Sequence, residues 1–315
     1  MARSIFIDGE SGTTGLQIRA RLAHHPEIRL RSLDGEARKD PAAKRALMAE
    51  VEVVVLCLPD DAAREVAAIA GAMGEAAPRL LDASTAHRVD PEWAYGFPEM
   101  ARGHAAQVAA ARRVSNPGCY PTGAIALIRP LVDAGLMAPD QALTINAVSG
   151  YSGGGKAMIA QFEEGRADPF FLYGLGLEHK HLPEIQLYAG LSRRPIFVPS
   201  VGDFAQGMLV SIPLHLDTLP GAPAAADLQA ALSAHYAGCD WVRVVAADAK
   251  AQLEPQALNG TNMLELRVYG NERHRQAVLV AKLDNLGKGA SGAAVQNLGL
   301  MLGLDMAAAM PLAAE

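Results

Sequence analysis

The sequence predicts a doubly wound α/β domain followed by an α+β domain whose sheet is mostly antiparallel. Three observations predict it. Strands and helices alternate through the first 118 residues, opening with strand, glycine turn and helix, the order of a parallel sheet covered on both faces. Beyond about Ala142 the chain turns to closely spaced β-branched segments joined by turn-rich links. A chain of 315 residues is also long enough for two domains. We place them at 1–118 and 119–285, with a C-terminal helix, 286–315, returning to the first.

Ser4 to Asp8 is a short buried strand, and Gly9-Glu10-Ser11-Gly12-Thr13-Thr14-Gly15 follows it. A helical pattern then begins at Leu16, Ile18 and Leu22. In this Rossmann-like arrangement backbone N–H groups at the helix start cradle a pyrophosphate, which makes Gly9, Ser11, Gly12, Thr13, Thr14 and Gly15 candidate cofactor residues. The spacing G-x-x-G-x-x-G departs from the usual G-x-G-x-x-G. The next strand, near Ile28 to Leu33, ends with only Asp34 to serve a ribose 2′-hydroxyl, while Arg31, Arg38 and Lys39 lie close by. Cations there suit a 2′-phosphate and favour NADP(H), although a solvated basic loop looks the same in sequence.

Val51 to Leu58 is an apolar run broken only at Glu52, as in a central strand buried on both faces. A helix follows from about Asp61 to Met73, then strands at Arg79 to Asp82 and Arg113 to Ser115. Active loops of such sheets leave the carboxyl ends of the strands, so Gly9, Pro59, Ser84 and Asn116 should gather on one edge.

Ser115-Asn116-Pro117-Gly118-Cys119-Tyr120-Pro121-Thr122-Gly123 delivers one thiol to a helix start. Pro121 is placed at the first helical position, the apolar run Ile125, Leu127, Ile128, Leu131, Val132 follows, and Gly135 stops it. Unpaired N–H groups and the positive end of the helix dipole favour a thiolate there, so Cys119 is the candidate nucleophile. A small apolar filler at a helix start is the other reading.

Apolar residues are 50% of the chain and charged residues 20%, ordinary for a soluble globular protein, and the formal net charge is −6. No long basic run offers a surface to nucleic acid, and no apolar run approaches a membrane span, which leaves a small-molecule substrate as the expected partner. Cys57, Cys119 and Cys239 are an odd number without metal-site spacing, so neither a disulfide framework nor a metal site is expected. Cys57 reads as a buried strand thiol and Cys239 as structural. The sequence starts on a strand pattern without the apolar region of a secretory signal, so a cytoplasmic location is expected.

In the second domain Ala142 to Val148 runs into Ser149-Gly150-Tyr151-Ser152-Gly153-Gly154-Gly155-Lys156, whose glycines and hydroxyls suit a backbone nest for an anion beside Lys156. A flexible glycine loop with a solvated Lys is the other reading there. Glu178-His179-Lys180-His181-Leu182-Pro183-Glu184-Ile185 holds two histidines, one of which is a candidate general base if it meets Cys119 in space. As a metal site it lacks an evident third ligand. Five strands are expected at Ile196–Pro199, Met208–Leu214, Trp241–Val245, Met263–Val268 and Ala277–Ala281, interrupted by one helix at about Ala225 to Tyr236. The last motif, Asp284-Asn285-Leu286-Gly287-Lys288-Gly289-Ala290-Ser291-Gly292, opens a helix through Val295, Leu298 and Met301, with loose order expected after Ala307.

Together these motifs resemble the N-acetyl-gamma-glutamyl-phosphate reductase family in its shorter form, which is related to aspartate-semialdehyde dehydrogenase and more distantly to glyceraldehyde-3-phosphate dehydrogenase. Gly9 to Gly15, Ser115 to Thr122, Ser149 to Lys156, His179 to Ile185 and Asp284 to Asn297 carry the resemblance across nearly the whole chain. The resemblance implies NADPH-dependent reduction of N-acetyl-L-glutamyl 5-phosphate to the 5-semialdehyde with release of phosphate, a step of arginine biosynthesis. It implies Cys119 as nucleophile and His181 as acid/base, with Asn116 and the Cys119 N–H as oxyanion donors. Cofactor contacts are then expected also at Arg38, Ser84, Pro117, Gly118, Gly153 and Asn285, and substrate contacts at Ser149, Gly150, Lys156 and Glu184.

The longer forms carry Arg-Gly-Met where this chain has Gln206-Gly207-Met208, so Arg88, Arg193 and Arg194 are left as unranked candidates for the substrate carboxylate. A homodimer or homotetramer formed through the second domain's sheet is expected. Two rival readings remain at this stage: a reductase for another acyl phosphate such as aspartyl phosphate, and a non-enzymatic NADP-binding sensor, which would leave the Cys119 helix start unexplained.

Overall fold

The computed structural model describes residues 2–248 and 250–309. It comprises two compact units, one built from the chain up to Pro98 with Gly103–Pro117 and the chain from Ala290, the other from Glu99–Arg102 with Gly118–Gly289.

Six strands make the sheet of the first unit: β1 (Arg3–Asp8), β2 (Ile28–Arg31), β3 (Val53–Leu56), β4 (Arg79–Asp82), β5 (Ala94–Tyr95) and β6 (Arg113–Ser115). Their order is β2-β1-β3-β4-β6-β5 and every pairing is parallel. All four residues of β3 are fully buried, which is why the sequence shows an unbroken apolar run there. The register aligns Asp8 with Leu56, Leu56 with Asp82 and Asp82 with Ser115, so the loops bearing Gly9, Pro59, Ser84 and Asn116 do leave one edge.

Between these strands run the helices α1 (Thr13–Leu22), α2 (Pro41–Met48), α3 (Asp60–Gly71) and α4 (His104–Ala110). Asp40 caps α2 by accepting the Ala42 N–H at 2.9 Å, with Pro41 at the first position, where a missing N–H costs nothing. From α3, Ala63, Val66 and Ala70 join a core of Phe6, Met48, Val54, Leu56 and Leu80.

In the second unit α5 (Cys119–Asp133), α6 (Gly155–Glu163), α7 (Leu182–Tyr188) and α8 (Ala225–His235) accompany seven strands. These are β7 (Thr144–Gly150), β8 (Phe170–Leu172), β9 (Ile196–Gly202), β10 (Met208–His215), β11 (Val242–Val244), β12 (Leu264–Asn271) and β13 (Gln276–Leu283). Their order is β11-β12-β13-β10-β7-β9-β8. The pairs β7–β9 and β11–β12 are parallel and the others antiparallel, so the sheet is mixed and mostly antiparallel. A parallel β7–β9 pair requires a long crossover, and the segment between them supplies it with α6, β8 and α7.

Apolar nearly all round, α5 packs against β10, β13, α7 and α8. Its internal Pro130 cannot donate to the Ala126 carbonyl one turn back, and the Tyr236 hydroxyl donates to that oxygen at 3.0 Å instead. The sheet also bears an apolar groove of about 670 Å³, lined among others by Val148, Phe170, Leu172, Leu209 and Val280. The last long helix, α9 (Gly292–Leu302), belongs to the first unit, where the Arg79 guanidinium donates to carbonyls at the ends of α4 and α9. The expected reach of this segment to residue 315, and the loose order expected after Ala307, fall largely on residues outside those described.

Candidate active site

Cys119 opens α5, two residues earlier than the Pro121 start expected from sequence. Pro121 is tolerated as third residue because the first N–H groups of a helix have no partner within it. Just before the thiol Gly118 is extended, and its carbonyl accepts from the Thr122 N–H at 3.0 Å and the Thr122 hydroxyl at 2.9 Å. Cys119 is partly open to solvent at the positive end of this long buried helix, where a thiolate is favoured. The other two thiols are disfavoured as nucleophiles. Burial, then the Asp82 and Asp8 carboxylates, push Cys57 up to about 12, and burial with Glu99 raises Cys239.

The start of α7 meets the start of α5. Glu184, in the first turn of α7, is 1% exposed, and one of its carboxylate oxygens accepts the Gly118 N–H at 3.1 Å. Glu184, expected to contact substrate, also holds the backbone that carries the thiol. His181 immediately precedes α7, is buried, and its ring centroid lies 5.9 Å from that of Tyr120, the residue after Cys119. The His181 N–H donates to Nδ1 of His179 at 3.1 Å. Burial, assisted by the Lys180 ammonium, lowers His179 to about 4, so near neutrality its ring is uncharged and Nδ1 remains an acceptor.

Tyr120 and Tyr173 both sense the Cys119 charge and are held above their ordinary values, chiefly by burial, Tyr173 at about 12. They stay protonated, with Tyr173 donating to Tyr120 at 3.3 Å and Tyr120 to the Ser200 carbonyl at 3.1 Å.

The glycine-rich loop of this unit is more closed than its sequence suggests. Ser149 and Gly150 end β7 and are buried, and the Ser149 hydroxyl donates to the Gly150 carbonyl at 2.9 Å. Asn285, expected at the cofactor, is 1% exposed, accepts the Gly207 N–H at 2.8 Å and donates to the Ser152 hydroxyl at 3.0 Å, so it ties two loops together. Gly153 is exposed, as is Lys156 in the first turn of α6, where a solvated cation is free to reach an anion. Gln206 donates to the Asp284 carboxylate, which makes it a loop contact in this chain. Arg194 is paired with Glu178 at 2.7 Å on the surface, and Arg193 is exposed.

In the first unit the glycine turn is sterically obligatory. Gly9 has φ +88°, and a Cβ there would lie 2.3 Å from the Cys57 carbonyl oxygen, while one on Gly15 would lie 2.5 Å from the Gly9 oxygen. Thr13 and Thr14 sit in the first turn of α1 behind Gly12. A cleft of about 360 Å³ at this edge is lined by Gly9, Glu10, Ser11, Arg38, Lys39 and Lys44 among others. The sequence reading missed Lys44, which pairs with Asp8 at 2.7 Å with both side chains largely buried. It also missed Glu10, whose carboxylate accepts from Arg19 at 2.7 Å, Ser32 at 2.8 Å and Arg38 at 3.3 Å. These three donors therefore already converge on a carboxylate at this edge.

Ser84 donates to Asp82 at 2.8 Å, and His87 stacks on Trp93 while its Nδ1 meets the same carboxylate at 2.7 Å. Asn116 donates to the Ala290 carbonyl and accepts from Asn297, each at 3.0 Å, so its amide holds the strand-end loop. Buried Arg88 donates to the Asn116 carbonyl at 3.0 Å, and Pro117, also buried, ends the unit's central segment. Among the described residues no cluster of His, Cys, Asp and Glu could hold a metal, and no helix is long and apolar enough to cross a membrane.

Residues 4–108 match the family described as semialdehyde dehydrogenase, NAD binding domain, and residues 119–285 match semialdehyde dehydrogenase, dimerisation domain. The N-acetyl-gamma-glutamyl-phosphate reductase of Brucella ovis is 52% identical over 311 residues, covering 96% of this chain and 100% of the relative. The chain belongs to the N-acetyl-gamma-glutamyl-phosphate reductase family, among the semialdehyde dehydrogenases. The enzyme of that name from Burkholderia ambifaria is likewise 52% identical, over 96% of this chain and 97% of its own. Solved structures share the fold at low identity. Aspartate semialdehyde dehydrogenase II from Vibrio cholerae superposes with a TM-score of 0.73 at 17% identity, covering 96% of this chain and 99% of its own. The Candida albicans aspartate semialdehyde dehydrogenase, solved with NADP, gives 0.68 at 16% identity over the same shares.

Proposed function

We propose that the protein reduces N-acetyl-L-glutamyl 5-phosphate to N-acetyl-L-glutamate 5-semialdehyde with NADPH, releasing phosphate, through a thioester on Cys119. The observation that carries the chemistry is the Glu184–Gly118 hydrogen bond, which ties the helix start beside His181 to the helix start bearing the thiol. Identity of 52% to reductases of this name favours the acetylated glutamyl substrate over aspartyl phosphate.

In this reading the Cys119 thiolate attacks the acyl carbonyl carbon, and collapse of the tetrahedral oxyanion breaks the C–O bond to phosphate. The thioester left on sulfur accepts hydride more readily than a carboxylate does, because sulfur donates little resonance. Bound NADPH supplies the hydride. The resulting thiohemiacetal oxyanion expels the Cys119 sulfur as aldehyde forms. His181 holds Cys119 as thiolate and carries the proton of the thiohemiacetal oxygen, a role worth about 10² to 10⁴ in rate. The Cys119 N–H, at a helix start, serves the developing oxyanion. Asn116 and Glu184 position the loop from its two sides in sequence, and Lys156 is the candidate for the leaving phosphate.

Gly9 to Gly15 would hold the cofactor pyrophosphate at the α1 start, and Arg38, beside Glu10, would be the cation offered to the 2′-phosphate. As a biosynthetic reductase the protein is placed in the cytoplasm, working as a homodimer or homotetramer.

The test is NADP reduction by N-acetyl-glutamate semialdehyde with phosphate or arsenate, comparing wild type with Cys119→Ser and with aspartate semialdehyde as rival. Loss of activity in the variant by at least about 10³ and selectivity for the acetylated substrate are expected. Activity surviving in Cys119→Ser removes the thioester, and a preference for aspartate semialdehyde moves the enzyme to another substrate.

A further inference from the structure

The stretch Asp284 to Gly292 is the most distinctive sequence motif to which the reaction assigns no role. Its backbone explains the need for it. The Gly289 N–H donates to the Asp284 carbonyl at 2.9 Å, five residues back, so Gly287–Ser291 forms a single π-helical turn. The Asp284 carboxylate anchors the turn's base by accepting the Leu286 N–H at 2.9 Å and the Gly260 N–H at 2.8 Å.

Two features of this turn point in one direction. Lys288 is 1% exposed and donates through Nζ to Oε1 of Glu99 at 2.8 Å, with the Glu99 side chain 7% exposed. Glu99 is itself held by its backbone, whose carbonyl accepts from Nε2 of His235 at 3.3 Å. Tyr236 and Cys239 feel the same carboxylate. Desolvating an ammonium and a carboxylate costs several kcal/mol per ion, so such a pair is a weak source of stability and a strong constraint on where its two carriers sit. The residue next to Lys288 is Gly289, and a Cβ on it would lie 2.8 Å from the Cys119 Cβ and 3.3 Å from the Cys119 Cα. The turn therefore lies directly against the nucleophile, with no room for a methyl group.

We propose that the Lys288–Glu99 ion pair is a positioning pair: it clamps the π-helical turn so that Gly289 fixes Cys119 at the head of α5. Lys288 does not act on the reacting atoms. It sets where the thiol stands relative to the first turn and dipole of its own helix, and hence how readily the thiolate forms and how well it is aimed. This role rests on Cys119 being the nucleophile of the proposed reaction.

The experiment follows the pH dependence of iodoacetamide alkylation of Cys119, located by peptide mapping, together with kcat and KM, in full-length Lys288→Met, Glu99→Gln and Gly289→Ala. Lys288→Met and Gly289→Ala are expected to shift the alkylation midpoint by about half a pH unit or more and to lower kcat about tenfold, with KM for NADP little changed. Glu99→Gln keeps an oxygen for the ammonium and should fall between these and wild type. Should Lys288→Met fail to fold, Glu99→Gln and Gly289→Ala still decide the matter. A lower melting temperature with unshifted alkylation profiles and wild-type kcat in the folded variants overturns the proposal and leaves the pair purely structural. The thiol profile needs no substrate, so failure of the proposed reaction and failure of the clamp are read separately.

Discussion

His179 and His181 stand two residues apart, and the fold gives them opposite tasks. His181 sits at the α7 start beside Tyr120, whereas His179 offers Nδ1 to the His181 backbone and must remain neutral to do so. An unfolded His179 takes up its proton near 6.5, while the folded residue holds out until about 4. Between these values the unfolded chain binds more protons, so stability falls as pH falls through that window. Replacing His179 with Asn, which keeps an acceptor and cannot titrate, should flatten the dependence of the urea midpoint on pH between about 6.5 and 4. An unchanged slope in that variant would place the effect on other groups. The same scale shows where residue reading ran out. Glu184, Asn285 and Asn116 are polar residues in the right motifs, and each also makes a hydrogen bond to backbone in its own unit. Sequence does not distinguish a carboxylate facing a ligand from one holding a loop, because both need the same residue type at the same spacing.

Among the elements, those whose identity is set locally were the legible ones. The strands at Arg79–Asp82 and Arg113–Ser115 stand as the apolar runs placed them, and α8 ends one residue from its expected bound. By contrast α2, α4, α6 and α7 have seven to nine residues each, too few to show helical periodicity, and the three-residue β8 is defined only by its partner β9. The second sheet carries one more consequence. Phe170 and Leu172 on β8 and Val278 on β13 are 55%, 48% and 37% exposed, and all three border the apolar groove. A face of this kind on a domain of the dimerisation family is expected to be covered by a second copy, sheet against sheet. Sedimentation of wild type should give a dimer or tetramer, and Leu172→Asp with Val278→Asp should lower the assembly state. A wild-type monomer at micromolar concentration would contradict this.

For the molecule as a whole, the all-parallel first sheet and the mixed, mostly antiparallel second sheet agree with the fold class read from alternation and strand spacing. Strand order was not legible, since nothing local says that β3 lies beside β1 or β9 beside β7. The π-helical turn was not legible either: its small residues suit a close approach of backbone to a ligand or another helix, but nothing local says that Gly289 packs against Cys119. What unites the levels is the proposal of a single reactive thiol at the head of α5, with Cys57 and Cys239 held as thiols by burial. The most direct measurement is the release of phosphate from N-acetyl-glutamyl phosphate by enzyme without NADPH, with intact mass and peptide mapping of the same sample. The account predicts a burst of one phosphate per active site and an N-acetyl-glutamyl mass on the peptide containing Cys119. Absence of both burst and adduct, or an adduct on another residue, would contradict it.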